Sequence, residues 1–443
     1  MIINPRKMLI ILEHKFCSIY KIKGVMKNNS WKLWFAISIV FIILSVAIAV
    51  ATELWVILSL GVGFLFGFVI QKGDLCGSSA MSEVLLFKDR SKLYGLWIAI
   101  ISSMVGFAVL EMLGIVQLAP KKMIWLSSIV GGLVFGVGTV LGGGCISGCM
   151  YKGATGNLNS IVAMLTIPIG ISFVDFGPLK PFNEFLLSFV VNDSNGKPLT
   201  LYSITGIPYW ILVIIFLVLT VLITFFLRQK SKDKKVKQKD KFTLLSILTK
   251  SWKPWQAGIL IGVIGVLAWL SSLPVGRNYP LGVTHGVNYA YQLIIDKNVD
   301  IVYKKPIEQA KTQPQINQTI QADTVSKQAT ASAVKEMPKT GSKKITLWLV
   351  LLVLGFVFGA FVSGKMSGQA KLLPKPPGQV LISGIGGFLI GAGAGLGTGC
   401  VIGNIISGWA MMSIGMFIFG IATLIGNWIT TYFYLIGFQN NNK

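Results

Sequence analysis

The sequence predicts an all-α polytopic membrane fold, built as an inverted repeat with broken or re-entrant short helices. The membrane class follows from composition: 53% of the 443 residues are hydrophobic and only 13% are charged, about half the charged share of a typical soluble domain. The repeat follows from the stretch 131–148, GGLVFGVGTVLGGGCISG, which returns 255 positions later as 386–403, GGFLIGAGAGLGTGCVIG. Each copy is an apolar helix too short to cross a bilayer, stopped by glycines, with a cysteine where the next helix should begin. This pattern is typical of a broken membrane helix around a midplane site.

Long apolar runs support the membrane class. Several approach or exceed the roughly 20 residues that cross a bilayer, and they cover residues 34–50, 96–118, 207–227, 347–362 and 413–436. The first 32 residues carry seven Lys/Arg and precede the first run without a small-residue cleavage site. We therefore expect a retained first helix rather than a cleaved signal peptide.

The net charge of +24 is concentrated beside apolar helices. Seven basic residues lie in 6–32 and ten lie in 228–253. The positive-inside rule places such clusters on the cytoplasmic side of a membrane. Membrane orientation explains the charge better than nucleic-acid binding, so we expect no nucleic-acid partner, and we expect both termini in the cytoplasm.

The charge pattern also orients the two copies. The first begins outside, near residue 54, and the second begins inside, near residue 255, so the repeat is predicted to be inverted. The predicted segments are 1–53 (basic N-terminus and first membrane helix), 54–176 (repeat 1), 177–254 (external loop, unpaired membrane helix and basic cytoplasmic loop) and 255–437 (repeat 2). Repeat 2 contains a polar Gln/Thr/Lys/Ala-rich insertion, 298–344, which we expect to be largely flexible and external.

Helix starts beside the glycines are predicted at Cys76, Cys145, Thr284 and Cys400, with Asp74 as the N-cap of the first. A helix start has unpaired backbone N–H groups and carries about half a positive charge, so it favours an anion. A cysteine there has a lowered thiol pKa and donates a weak S–H hydrogen bond. Together these features predict a site for a soft, sulfur-bearing anion rather than for sulfate.

The candidate binding residues share these motifs, and they are Cys76, Cys145, Cys400, Gly144, Gly148, Gly399, Gly403, Thr284, Cys149 and Asn404. Alternatives remain open for them: glycine-rich runs also serve close helix packing, and buried cysteine also acts as a small hydrophobe. Cys149 lies one turn past Cys145 and maps onto Asn404, so it either faces the pathway or packs. Four basic residues either draw anions to the pathway mouths or snorkel to the interface: Lys72, Lys152, Arg277 and Lys365. The cysteines of the sequence show no Cys-x-x-Cys metal-binding spacing, and no cofactor motif accompanies them.

The paired Gly-x-Gly-Cys-x-x-Gly elements, together with Gly73-Asp74-Leu75-Cys76-Gly77, resemble the YeeE/YedE family of bacterial membrane proteins, whose characterised members take up thiosulfate. The resemblance covers about 54–176 and 255–435 and leaves out the 298–344 insertion. It implies an hourglass-like transporter in the bacterial plasma membrane. By motif position, the three cysteines that line the family's pathway match Cys76, Cys145 and Cys400 in this sequence.

The resemblance further implies that thiosulfate passes along the cysteines through transient S–H···S hydrogen bonds without covalent change. It implies a small cytoplasmic partner related to the TusA sulfur carriers, and a transporter rather than an enzyme. Alternative functions are transport of a selenium or other reduced-sulfur species, a plain anion channel, and a membrane thiol–disulfide enzyme that uses Cys145 and Cys149. The last is disfavoured because a Cys-x-x-x-Cys pair on one helix is poorly placed to form a disulfide.

Overall fold

The computed structural model describes residues 30–193, 196–230, 249–296, 299–302, 343–373 and 376–437. Over these residues the chain is mainly helical. The α-helices are α1 (Ser30–Ala51), α2 (Leu58–Gly73), α3 (Gly77–Phe87), α4 (Ser91–Met112), α5 (Trp125–Leu141), α6 (Ile146–Ala154), α7 (Leu158–Asp175), α8 (Lys180–Leu187), α9 (Leu201–Thr205), α10 (Tyr209–Lys230), α11 (Pro254–Ser272), α12 (Thr284–Ile295), α13 (Leu347–Met366), α14 (Pro377–Leu396) and α15 (Ile414–Thr430). Two 3-10 helices, Trp55–Ile57 and Leu273–Val275, two π-helices, Val401–Gly408 and Thr431–Gly437, and the short strands β1 (Met123–Ile124), β2 (Val190–Val191), β3 (Val299–Val302) and β4 (Lys343–Thr346) complete the described elements.

The predicted membrane class is confirmed. Within the described residues, ten helical stretches are long and apolar enough to cross a bilayer. They are Trp31–Ala51, Trp55–Phe87, Ser91–Met112, Trp125–Ala154, Leu158–Asp175, Tyr209–Phe226, Pro254–Val275, Leu347–Met366, Pro377–Leu396 and Ile414–Tyr434. The first and the sixth, formed by α1 and α10, are the least buried of the ten, so these two helices lie at the periphery.

The broken helices predicted from the glycine motifs are present. Helix α2 ends at Gly73 and α3 begins at Gly77, while α5 ends at Leu141 and α6 begins at Ile146. In the second copy the break separates α14 from the π-helix that starts at Val401. Each short helix thus begins beside its motif, as the sequence predicts.

Glycine contacts join the two copies through a pseudo-twofold relation. A β-carbon on Gly131 would overlap the backbone nitrogen of Gly397, and one on Gly386 would overlap the backbone nitrogen of Gly142. The repeat offset of 255 exchanges these two contacts. Helices α5 and α14 therefore cross at a distance that only glycine allows, and they do so twice by the same geometry.

Helices α2 and α13 pack in the same manner. Gly63 and Gly67 lie one turn apart on α2, and Gly355 and Gly359 lie one turn apart on α13. A β-carbon on any of these four would overlap a backbone carbonyl oxygen of the facing helix. This is the small-xxx-small packing of membrane helices. Because lipid provides no hydrophobic driving force between helices, close van der Waals contact between their backbones stabilises the pair instead.

The two copies run in opposite directions. The Trp252 backbone N–H donates to the Lys72 carbonyl oxygen at 2.8 Å, so the end of α2 lies beside the start of α11. Helices α2 and α11 open their respective copies. Since the end of one opening helix meets the start of the other, the repeat is inverted.

Two local predictions need correction. Asp74 is not an N-cap: Cys76 occupies the N-cap position of α3, while Asp74 adopts a left-handed conformation after α2 and its carboxylate accepts hydrogen bonds from Lys92 and Tyr151. The apolar run expected to reach Leu118 as a helix ends at Met112. In the 298–344 insertion, β3 near its start pairs in parallel with β4 at its end. Residues 298 and 303–342 lie outside the described residues, so the expectation for the insertion stays a prediction.

Candidate functional site

The thiols of Cys76 and Cys145 meet at the starts of two short helices. Cys76 is the N-cap residue of α3 and Cys145 that of α6, and both side chains are buried. Their sulfur atoms are 3.7 Å apart, and the Cys145 sulfur is also 3.3 Å from the Ser147 hydroxyl oxygen. Neither cysteine side chain caps its own helix. Two soft donors and two sets of helix-start N–H groups are therefore brought together.

Gly148 makes this thiol pair possible. A β-carbon on Gly148 would overlap the Cys76 sulfur and lie 3.6 Å from the Cys145 sulfur. Any side chain at this position would push the Cys76 thiol away from the start of α6. The second glycine of the motif, Gly144, lies against the same turn, where a β-carbon would be 3.2 Å from the Gly148 carbonyl carbon.

Cys149 has a different environment. Its sulfur lies 3.6 Å from the carbonyl oxygens of Gly142 and Gly144 and is buried. The Cys149 thiol therefore bonds to carbonyl groups left free where α5 stops. Among the described residues, its hydrogen bonds go to the backbone and not to the thiols of Cys76 and Cys145.

The break at Cys400 resembles the break at Cys145, but Asn404 stands at the position equivalent to Cys149. Cys400 occupies the N-cap position of the π-helix Val401–Gly408. Thr398, two residues earlier, has a φ of +55°, and Gly143 at the equivalent position of the first copy has a φ of +73°. The side-chain amide of Asn404 donates to the Gly397 carbonyl at 2.8 Å. Gly399 is tightly enclosed, because a β-carbon there would overlap the Asn404 side-chain oxygen.

Lys121 secures this second break. Its ammonium group donates to the Thr398 carbonyl at 2.5 Å and to the Asn404 side-chain oxygen at 2.8 Å. The only local signal for this role is that Lys121 is a basic residue in the loop before a glycine-interrupted helix. That signal does not identify its partners, which are 277 and 283 positions away.

The helix starts are linked to one another across the two copies. A β-carbon on Gly77 would lie 2.6 Å from a side-chain carbon of Val401, so the start of α3 abuts the start of the π-helix. The π-helix in turn contacts the chain before α12, where Ser407 donates to the Leu281 carbonyl at 2.9 Å. All four predicted helix starts thus form one connected centre.

Thr284 and Gly403 lie on the α12 side of this centre. Thr284 is the first residue of α12, is 4% exposed, and its hydroxyl has no hydrogen-bond partner among the described residues. The Gly403 carbonyl accepts a hydrogen bond from the Tyr279 hydroxyl at 2.6 Å. Tyr279 was not among the residues predicted from the sequence.

The two sides of the centre differ in electrostatics. Near α3, Lys92 forms salt bridges with Asp74 at 2.7 Å and with Glu83 at 2.6 Å. Near Cys400, Lys121 and Arg277 have no carboxylate within 4.0 Å among the described residues. The Lys92 charge is therefore paired with carboxylates on the α3 side, whereas Lys121 and Arg277 on the Cys400 side have no such partner among the described residues.

Comparison with known proteins agrees with this architecture. A family model described as Sulphur transport matches residues 72–429. The Thiosulfate transporter TsuA of Spirochaeta thermophila is 28% identical over 376 residues, covering 83% of this chain and 95% of that protein. The Thiosulfate transporter TsuA of Escherichia coli is 26% identical over 372 residues, covering 84% of this chain and 92% of that protein.

A shorter match is found with the Probable transporter YedE of Escherichia coli, which is 31% identical over 101 residues, or 22% of this chain and 24% of that protein. The family match spans all four helix starts. This multi-pass membrane protein therefore belongs to the sulphur transport family.

Proposed function

We propose that this protein takes up thiosulfate across a bacterial plasma membrane, along a pathway lined by Cys76, Cys145, Cys400 and the four helix starts. The observation that carries the proposal is the 3.7 Å approach of the Cys76 and Cys145 sulfur atoms at two buried helix starts. Similarity to two thiosulfate transporters over more than four fifths of the chain supports it.

The chemistry of the centre suits this substrate. Thiosulfate carries two negative charges and a terminal sulfur. Entering a narrow pathway, it exchanges water for helix-start N–H groups, which favour anions, and for thiol donors, which suit a polarisable sulfur acceptor. A hydrogen bond to a charged group contributes roughly 1.5–3 kcal/mol. This strength is enough to hold the anion and weak enough to release it to the next thiol.

Transport along the thiols needs no covalent step. Either sulfur of the Cys76–Cys145 pair can act as donor to the other. An arriving anion replaces this internal hydrogen bond with one to itself, and the internal bond re-forms when the anion leaves. The cysteines therefore return to their starting state after each passage.

Growth of a sulfur-auxotrophic bacterium on thiosulfate as sole sulfur source tests the proposal. We expect growth with the gene and none without it, and uptake of ³⁵S-labelled thiosulfate at matched expression. Competition by selenite and by sulfide in the same assay tests the alternative substrates. Absence of thiosulfate uptake by well-expressed protein would overturn the proposal. A TusA-like cytoplasmic partner stays a prediction, tested by co-purification with a carrier of that type.

A further inference from the structure

A group of side chains beside Cys400 has an unmatched positive charge. The group, called here the Tyr279 crevice, consists of Lys121, Arg277, Tyr279, Thr284 and His285. Lys121, Arg277 and Tyr279 are half-buried and His285 is exposed, although protein surrounds their polar ends on most sides. These residues are thus only partly enclosed by protein.

Tyr279 holds the two cations in place. The Lys121 nitrogen lies 5.5 Å and the Arg277 guanidinium carbon 5.6 Å from the centre of the Tyr279 ring. Both distances are within the range of a cation–π contact. The Tyr279 hydroxyl is itself fixed on the Gly403 carbonyl of the π-helix. The charged groups and the Cys400 helix are therefore parts of one rigid arrangement.

Hydrogen-bond donors remain unused on both cations. An ammonium group has three N–H donors, and Lys121 uses two, on Thr398 and Asn404. Arg277 donates from Nη1 to the carbonyls of Tyr279 and Pro280, at 2.5 and 2.7 Å. Its Nη2 lies 3.6 Å from where a β-carbon of Gly282 would be, beside the chain that leads into α12. Since a guanidinium has five donors, those of Nη2 are available to a ligand.

A further donor is orphaned nearby. The Thr284 hydroxyl is buried at the start of α12 and has no partner among the described residues. Leaving a buried polar group unpaired is costly, and such groups in native proteins call for a specific explanation, for example a ligand. The donors, the helix start and the two cations all favour an anion.

The Tyr279 crevice carries a net charge of +2, from Lys121 and Arg277. Burial, with a smaller contribution from Lys121 and Arg277, lowers the pKa of His285 to about 4, so the imidazole is neutral at pH 7. Lys121 and Arg277 then remain as two cations without a carboxylate partner among the described residues. Charges in partly buried sites normally have a partner.

We propose that the Tyr279 crevice is a recognition site for a divalent oxyanion, in which Lys121 and Arg277 select the charge of the anion before it reaches Cys400. This inference rests on the proposed function, which it deepens. It assigns selection by charge to the crevice and selection for sulfur to the thiols. A monovalent anion leaves one cation unbalanced and is bound more weakly.

The test compares anions of different charge on the purified full-length protein. Affinities for thiosulfate and for the monovalent anions thiocyanate and perchlorate are measured by equilibrium binding in detergent. We expect wild type to bind thiosulfate at least tenfold more tightly than either monovalent anion. Lys121→Gln, which keeps a hydrogen-bond donor and removes the charge, should lower thiosulfate affinity about ten- to a hundredfold. Its affinity for thiocyanate should change less than threefold.

Controls separate charge from folding. Lys122→Gln removes the charge of the exposed neighbouring residue and should leave all affinities unchanged, while Lys121→Arg should retain the preference for the dianion. A folded Lys121→Gln protein with the wild-type ratio of affinities would overturn the inference. If that variant does not fold, equal binding of thiosulfate and perchlorate by wild type would overturn it. Failure of thiosulfate uptake in cells contradicts the proposed function instead, and the charge preference is then measured with sulfate against perchlorate.

Discussion

Cys76 and Cys145 lie 69 positions apart in the chain, yet their sulfur atoms are 3.7 Å apart. The approach depends on Gly148, whose missing side chain leaves room for the Cys76 thiol. The two cysteines belong to different broken helices, so a local turn does not explain the contact. It depends on the packing of the whole first copy.

Removal of Cys145 should have the largest effect of any cysteine substitution. Its sulfur contacts both the Cys76 thiol and the Ser147 hydroxyl. We expect Cys145→Ala to abolish thiosulfate-dependent growth, because losing one hydrogen bond to a charged group costs about ten- to a hundredfold in affinity. Cys76→Ala and Cys400→Ala should impair growth. Uptake of labelled thiosulfate, normalised to membrane expression, is the measurement.

Two other cysteines provide matched comparisons. Cys149→Ala should have a mild effect because its thiol bonds to the backbone, and Cys17→Ala, outside the described residues, should have none. Cys145→Ser keeps a donor of similar shape and should retain more uptake than Cys145→Ala. If Cys145→Ala and Cys400→Ala both transport thiosulfate like wild type, the thiols do not take part in transport and the cysteines only contribute to packing.

Gly148→Ala should damage transport without removing any thiol. The added methyl group would overlap the Cys76 sulfur, so the thiol has to rotate away from Cys145. We expect thiosulfate uptake to fall at least tenfold while the unfolding temperature changes little. Gly378→Ala is the matched control, since a β-carbon there meets nothing within 4 Å. If Gly148→Ala transports normally, close contact between the two thiols is not required.

The sequence predicted the helix starts because their signals are local. Glycines that stop an apolar helix and a cysteine that follows are visible within a few residues, and Cys76, Cys145 and Cys400 all prove to be helix N-caps. Lys121 was missed because its role depends on tertiary packing against Thr398 and Asn404. Asp74 was misassigned because a salt bridge to Lys92, from the following membrane helix, outweighs its capping propensity.

The orientation of the chain can be tested at residue 320, which lies outside the described residues. The insertion that contains it is flanked by β3 and β4, and the positive-inside rule predicts that it is external. A cysteine placed at position 320 in a background lacking Cys17 should react with an impermeant maleimide on intact cells. A cysteine in the basic 228–253 loop should react only after permeabilisation. The reverse pattern would invert the predicted topology.

Thiosulfate affinity should depend on pH through Lys121, whose pKa is lowered to about 8, chiefly by burial and also by nearby Arg277. A bound dianion favours the charged ammonium and raises this pKa, so affinity is fully present below pH 8 and is lost as the pH rises above it. We expect a fall of about tenfold or more between pH 7 and pH 9.5. Arg277 stays charged over most of this range, because its pKa, though lowered by burial, is about 10. Thiosulfate itself keeps both charges throughout.

A variant is needed to assign the pH dependence of the affinity to Lys121. Lys121→Arg replaces the ammonium with a guanidinium that stays charged above pH 9.5. It should flatten the pH profile while leaving the affinity at pH 7 within about threefold of wild type. A profile of Lys121→Arg that falls as steeply as wild type would show that the pH dependence does not arise from Lys121.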